Sequence, residues 1–359
     1  MNRKWIVIPS LLLTMACALA GPPPGQTAAE EGKPGPTMAV DRATRTKVID
    51  TLVARLNDHY VFPDKARQIE AVLRQRQQEG RYDAVTDGKQ LAMRLSEDLR
   101  GAAHDLHMSV FFSPRPVPPD DAAGAPPATL AEWEQRVSAD KRQRMRQMAN
   151  ASVEQVDRLT PRIGYLKLSG FPPSFLMADR YAAAMNELAD TDGLIVDLRD
   201  NGGGAPDGVA LLVSYFVDQR TRLNDIWDRT TGISTQFWTE DKLGGKRYGG
   251  AKPVVILAGP GTMSAGEDFT YTMQALKRAT VIGERTWGGA HPTRPFRLSE
   301  HFVAMIPGRR TISPITGTNW EGTGVTPDIA AAPDKALDVA RDVLQRRLEG
   351  TAAPVAMAP

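Results

Sequence analysis

The chain has 359 residues, 44 Lys and Arg against 42 Asp and Glu, 42% hydrophobic residues and one cysteine. That composition excludes a disordered or collagen-like chain, and the length exceeds what one hydrophobic core serves, so two domains are expected. A single cysteine excludes an internal disulfide, a four-ligand Cys-based zinc site and a CxxC redox pair, and the near balance of charge argues against bulk binding of nucleic acid.

Residues 1–20 have the form of a signal peptide. Arg3 and Lys4 precede an apolar stretch, Trp5 to Leu13, and Ala18-Leu19-Ala20 offers a small-x-small cleavage site. The stretch is shorter than the ~20 residues that span a bilayer, and no other segment approaches that length. The mature body is expected in the periplasm or outside the cell, without stable membrane insertion. The alternative is a lipid anchor on Cys17, after Thr14-Met15-Ala16. Cleavage after Ala20 would remove Arg3, Lys4, Cys17 and no acidic residue, leaving a thiol-free body of zero formal charge. Residues 21–40, rich in Pro, Gly and Ala, read as a disordered spacer.

Residues 41–112 read as an N-terminal helical domain. Val48, Ile49, Leu52, Val53 and Leu56 share one helix face, Ile69, Val72 and Leu73 mark a second helix stopped by Gly80, and Leu91, Leu95 and Leu99 mark a third. Met108 to Phe112 is strand-like. Residues 113–160 read as a Pro-rich linker and a polar helix, begun by a Thr129/Glu132 capping box and running to about Leu159. The basic run Lys141 to Arg146 has acidic flanks and no interleaved aromatics, so it reads as a solvated helix face.

Residues 161–345 alternate strands and helices: strand Ile163–Leu168, helix Tyr181–Leu188, buried strand Leu194–Leu198, helix Gly208–Phe216, buried strand Val254–Ala258 and a helix from Ala265 to about Lys277. Continuous apolar strands between helices indicate an α/β domain. Residues 346–359 read as a disordered tail.

Two strand ends run into glycine-rich turns, where α/β sheets collect ligands and catalytic groups. The first is Asn201-Gly202-Gly203-Gly204, whose backbone N–H groups suit an oxyanion hole, a phosphate cradle or a tight connection. It matches neither GxxxxGK[ST] nor GxGxxG. The second holds Ser264 before a helix, as an exposed nucleophile or an N-cap; Thr262 stands where a GxSxG elbow has its first glycine. Of five histidines, His59 reads as solvated and His301 has no special neighbourhood, while His104 and His107 close the helical segment and His291 follows Gly288-Gly289-Ala290. Neither HExxH nor HxxxH occurs, so no metal and no cofactor are expected.

The motifs Gly164-Tyr165, Asp197-Leu198-Arg199-Asp200-Asn201-Gly202-Gly203-Gly204, Ser264-Ala265-Gly266-Glu267, Gly283-Glu284-Arg285-Thr286-Trp287-Gly288-Gly289 and Gly324-Val325-Thr326-Pro327-Asp328 together resemble the C-terminal processing (tail-specific) serine peptidases, which include the core of tricorn protease. The segment from Leu56 to His107 and the run Gly288 to Pro292 are similar to the interphotoreceptor retinoid-binding protein module. The resemblance covers most of residues 41–332. It implies a ClpP/crotonase-like α/β core behind the helical bundle, and hydrolysis of peptide or partly unfolded protein through an acyl-enzyme. On it, Ser264 is the nucleophile and Gly202, Gly203 and Ala265 supply oxyanion amides. Tail-specific members usually carry a lysine base 25 residues after the serine and a PDZ domain. Here Gly289 holds the lysine position, and residues 113–160 do not read as a PDZ domain. The tricorn-like arrangement instead makes His107 the base and Glu321 its support, with His291 as the competing base. The alternative from a different class is an inactive member that binds a hydrophobic small molecule or a peptide.

Overall fold

The computed structural model describes residues 38–119, 135 and 137–350. The signal sequence, Cys17, most of the spacer, the Thr129/Glu132 capping box and the last nine residues lie outside that range.

Three helices open the described chain: α1 (Arg42–His59), α2 (Pro63–Gln78) and α3 (Gly88–Ala103). Asp41 and Asp87 cap α1 and α3 through side-chain bonds from the Thr44 and Gln90 amides. Val48, Leu52, Leu56, Ile69, Leu91, Leu95 and Leu99 are buried where the periodicity puts them. Strand β1 (Ser109–Phe112) then pairs antiparallel with β10 (Phe302–Pro307), which pairs with β9 (Thr293–Arg297). Phe302, Ala304 and Ile306 of β10 share one core with the three helices. The N-terminal helices are therefore roofed by chain from the far end of the sequence. An amphipathic bundle this short needs another apolar face to cover it, and no local signal names which.

After helix α4 (Ala139–Ala151) the chain enters β2 (Val153–Thr160), so the expected polar helix stops eight residues short of Leu159 and strand replaces it. Beyond Ser152, Val153, Val156 and Leu159 fall three apart, a spacing that fits a helix face as well as a strand, and antiparallel pairing with β3 (Ile163–Leu168) across a tight turn overrides helix propensity. The central sheet has strand order β12-β8-β7-β4-β3-β2, all parallel except the β2–β3 pair. Its other strands are β4 (Gly193–Asp197), β7 (Val254–Ala258), β8 (Thr280–Gly283) and β12 (Ile329–Ala330). Every residue of β4 and β7 is buried, as their unbroken apolar runs require.

Helices α5 (Ser174–Leu188), α6 (Pro206–Val213) and α7 (Ala265–Ala275) contribute to the core on one sheet face, and α8 (Ala336–Leu348) covers the other. Helix α8 runs three residues past the expected tail boundary, with Leu344 buried. A third small sheet, β11 (Arg309–Ile312), β5 (Arg222–Asp228) and β6 (Ser234–Trp238), stands beside the core. The architecture is thus the mixed α/β core with helices at its N-terminus that the motifs imply. No helix among the described residues is long and apolar enough to cross a membrane.

Candidate active site

Strands β4 and β7 are hydrogen-bonded neighbours, so the two glycine-rich turns at their C-terminal ends lie side by side. Asn201 locks them together. Its Nδ2 donates to Leu168 O (2.9 Å), its Oδ1 accepts from Gly203 N (3.0 Å), and its carbonyl accepts from Met263 N (2.8 Å). A Cβ on Gly203 would lie 2.8 Å from Ser264 Cβ, and Gly203 has φ +96°, so this position takes glycine both for space and for backbone conformation. The turn itself is set by Asp197, buried and held below the usual carboxylate range by hydrogen bonds from Arg199 and Tyr165 that outweigh its burial.

Ser264 sits at the N-cap of α7 with φ 50° and ψ −112°. A non-glycine residue there is strained, and such strain gathers at functional turns. Its N–H donates to Glu267 Oε2 at 2.9 Å. Glu267 is fully buried and accepts three further bonds: from Thr286 Oγ1 and Gly288 N, each at 2.6 Å, and from Gly289 N at 3.0 Å. One carboxylate thus ties the serine turn to the 286–289 loop. Burial raises its pKa, and the four donors oppose that rise. Sequence reasoning gave Glu267 no role, although Ser264 and Glu267 have the S-x-x-E spacing of a capping box.

The expected oxyanion donors divide. Gly202 N–H is engaged by Ser169 O (3.0 Å) and Gly203 N–H by the Asn201 side chain, so neither amide points free into the cleft. The correction has a physical cause: the turn needs both bonds to hold its shape against β3. Ala265, first in α7, has an N–H with no intrahelical acceptor. Gly204 borders the same cleft, and its N–H has no acceptor among the described residues. Sequence reasoning passed over Gly204 because three consecutive glycines do not say which amide is left over.

His107 borders this cleft with Ser264, Ala265 and Gly204. Its ring is 7% exposed and meets Trp287 edge-on at 4.8 Å. Nδ1 is buried without a hydrogen-bond partner. Burial pushes the imidazole down to about 4, against the pull of the Asp105 carboxylate. Gly289, where the resemblance places a lysine, faces His107: a Cβ there would lie 2.5 Å from His107 Cε1. The histidine ring occupies the space a longer side chain at 289 would enter.

His291 and Glu321 come together at Asp105. His291 Nδ1 lies 3.0 Å from Asp105 Oδ2 and 3.3 Å from Glu321 Oε2, and its ring packs edge-on against Phe62. Glu321 Oε2 accepts from Ala290 N at 2.5 Å, and its Oε1 is buried without a partner. Glu321 therefore buttresses His291 and the loop backbone. Asp105 is the acid nearest His107 along the chain: its Oδ1 accepts the His107 main-chain N–H at 3.1 Å, while Oδ2 also accepts from Tyr60 OH at 3.3 Å. Sequence reasoning gave Asp105 no part, and the only signal available was its D-x-H spacing. Burial first, then the Asp105 charge, raises Glu321 to about 7. Donor atoms of Asp105, His291 and Glu321 all lie within 4.8 Å of one another, so these are the residues that could converge on a cation.

The arrangement can carry nucleophilic chemistry: a half-buried serine on a strained turn, a neutral buried imidazole bordering the same cleft, and the Ala265 and Gly204 backbone along its wall. Residues 162–331 match the model of peptidase family S41, and residues 38–145 match the N-terminal domain of S41 peptidases as found in eukaryotic interphotoreceptor retinoid-binding protein. Carboxyl-terminal-processing peptidase 2 of Arabidopsis thaliana is 30% identical over 178 residues, 47% of this chain and 32% of that protein. The crystal structure of mature CPAF superposes with a TM-score of 0.59 at 10% identity, over 88% of this chain and 99% of that one. Tricorn protease superposes with a TM-score of 0.51 at 14% identity, over 86% of this chain and 37% of that one. The chain spans about a third of the length of the first two curated relatives it matches. With both matches adjoining and their motifs gathered at one cleft, the chain belongs to peptidase family S41.

Proposed function

We propose that this protein is an exported serine peptidase that cleaves peptides or partly unfolded proteins through an acyl-enzyme. The observation that carries the proposal is Ser264 on a strained helix-N-terminal turn, opening into the cleft that His107 also borders. Ser264 Oγ attacks the scissile carbonyl carbon while His107 takes its proton, and the bond to the amine breaks as His107 returns that proton. Water then repeats the sequence on the ester. The Ala265 and Gly204 amides are the donors placed for the tetrahedral oxyanion. Asp105, bonded to the His107 main-chain N–H, lends the negative charge that favours the transient imidazolium, and Glu321 acts at one remove by holding Ala290 and His291. His291 is the weaker candidate for the base, because its ring is buried against Phe62 and two acids while its neighbours Ala290 and Pro292 border the cleft. Export rests on the signal-like residues 1–20.

The test is one assay series on mature protein: fluorophosphonate labelling and casein cleavage for wild type, Ser264→Ala, His107→Ala and His291→Ala. Loss of labelling in Ser264→Ala, and loss of cleavage in His107→Ala with His291→Ala retaining most of it, is expected. An unlabelled wild type that leaves casein intact overturns the peptidase proposal. The apolar cleft walls, Pro206, Ile226 and Pro292, favour one other reading, a binder of hydrophobic ligands, which quenching of Trp320 fluorescence by retinol or a fatty acid would reveal.

A further inference from the structure

Asp268 borders the same cleft one turn along α7 from Ser264. Its Oδ1 accepts from Asn224 Nδ2 at 2.6 Å and lies 3.2 Å from Thr272 Oγ1. Nothing hydrogen-bonds its Oδ2, and the side chain is only partly covered, so that oxygen is not shut away from the cleft. The surrounding walls are apolar or neutral: Pro206, Ile226, Ala265, Pro292 and Trp320. Among the residues bordering the cleft Asp268 is the one acid, and none is Lys or Arg.

A carboxylate in apolar surroundings costs desolvation energy that two neutral hydrogen bonds only partly offset. Burial duly raises Asp268 to about 6, and no cation acts against the rise. Packing alone would be served as well by the neutral isostere Asn. What the acid adds is a negative charge at the border of the cleft.

We propose that Asp268 makes the side-chain pocket beside Ser264 selective for substrates with a basic residue, Lys or Arg, next to the bond cleaved. The long alkyl stem of such a side chain would lie along Ile226, Pro206 and Trp320, with its cationic end on Asp268. This deepens the peptidase proposal and rests on it for the word substrate, but charge-selective binding can be read without turnover.

The experiment is calorimetric titration of Ser264→Ala protein with two hexapeptides that differ only in Lys against norleucine at one internal position. The Lys peptide should bind about tenfold more tightly, the scale of a desolvated charge pair at a partly open site. The preference should vanish in Ser264→Ala/Asp268→Asn and persist in Ser264→Ala/Asp268→Glu, with matching thermal melts showing that all three fold. Equal affinity for the two peptides, absence of binding by both, or a preference that survives Asp268→Asn overturns the proposal. Lys-selective binding together with a wild type that cuts neither peptide leaves the charge selectivity standing and overturns the peptidase proposal alone.

Discussion

Replacing Glu321 by Gln removes a titrating proton from the buried cluster around His291 while keeping a carbonyl for the Ala290 amide. In the folded protein burial and Asp105 hold Glu321 protonated up to about pH 7, whereas the unfolded chain releases that proton near its ordinary value of 4.5. A folded-state pKa above the unfolded one means that the group's stabilising contribution is complete below pH 4.5 and is lost as pH rises through 7. At about 1.4 kcal/mol per pH unit, that window amounts to about 3 kcal/mol. The measurement is urea unfolding of wild type and Glu321→Gln at pH 5, 6, 7 and 8. Glu321→Gln should gain relative to wild type with each step and be the more stable protein at pH 8. A stability difference independent of pH, or a wild type that gains on the variant as pH rises, refutes the reasoning.

The acid limb of kcat/KM should fall nearer pH 4 than the ordinary histidine value of 6.5, because buried His107 stays unprotonated well into the acid range; a limb at 6.5 or above contradicts His107 as the base. Glu267→Gln sets an NH2 against two of the four donors that Glu267 now accepts, and about 2–4 kcal/mol of stability should be lost, read by urea unfolding alongside slowed fluorophosphonate labelling of Ser264. Gly203→Ala drives a Cβ into Ser264 and should abolish labelling at a stability cost of about 1–3 kcal/mol. Gly289→Ala drives a Cβ into the Trp287 and His107 rings and should lower kcat/KM by about 100-fold.

Local signals carried much of the molecule. The helical periodicities of α1 to α3 and the unbroken apolar runs of β4 and β7 are read within a dozen residues, because burial on one face or on both leaves a fixed imprint. Ser264 and the triple glycine were visible for the same reason: a strand, a turn and a helix in sequence define a site without distant partners. After Ser152 the polar composition suits a solvated helix as well as an edge strand, and the β3 ladder decides between them. The free amide among Gly202, Gly203 and Gly204 was equally illegible, since Ser169 and the Asn201 side chain choose it.

By itself the sequence determined the α/β alternation, the two turns at neighbouring strand ends and the short inventory of groups able to act there. Only the tertiary structure decided how those groups meet. Asp105 and His107 lie more than 150 residues from Ser264 in the chain, and they reach its neighbourhood because β1 docks on β10 and carries the end of the helical segment with it. The same docking joins Asp105 to His291 and Glu321, which no spacing in the chain encodes. Turn and helix preferences act over a few residues, whereas the approach of distant side chains follows from which apolar faces are left to cover one another once those elements exist.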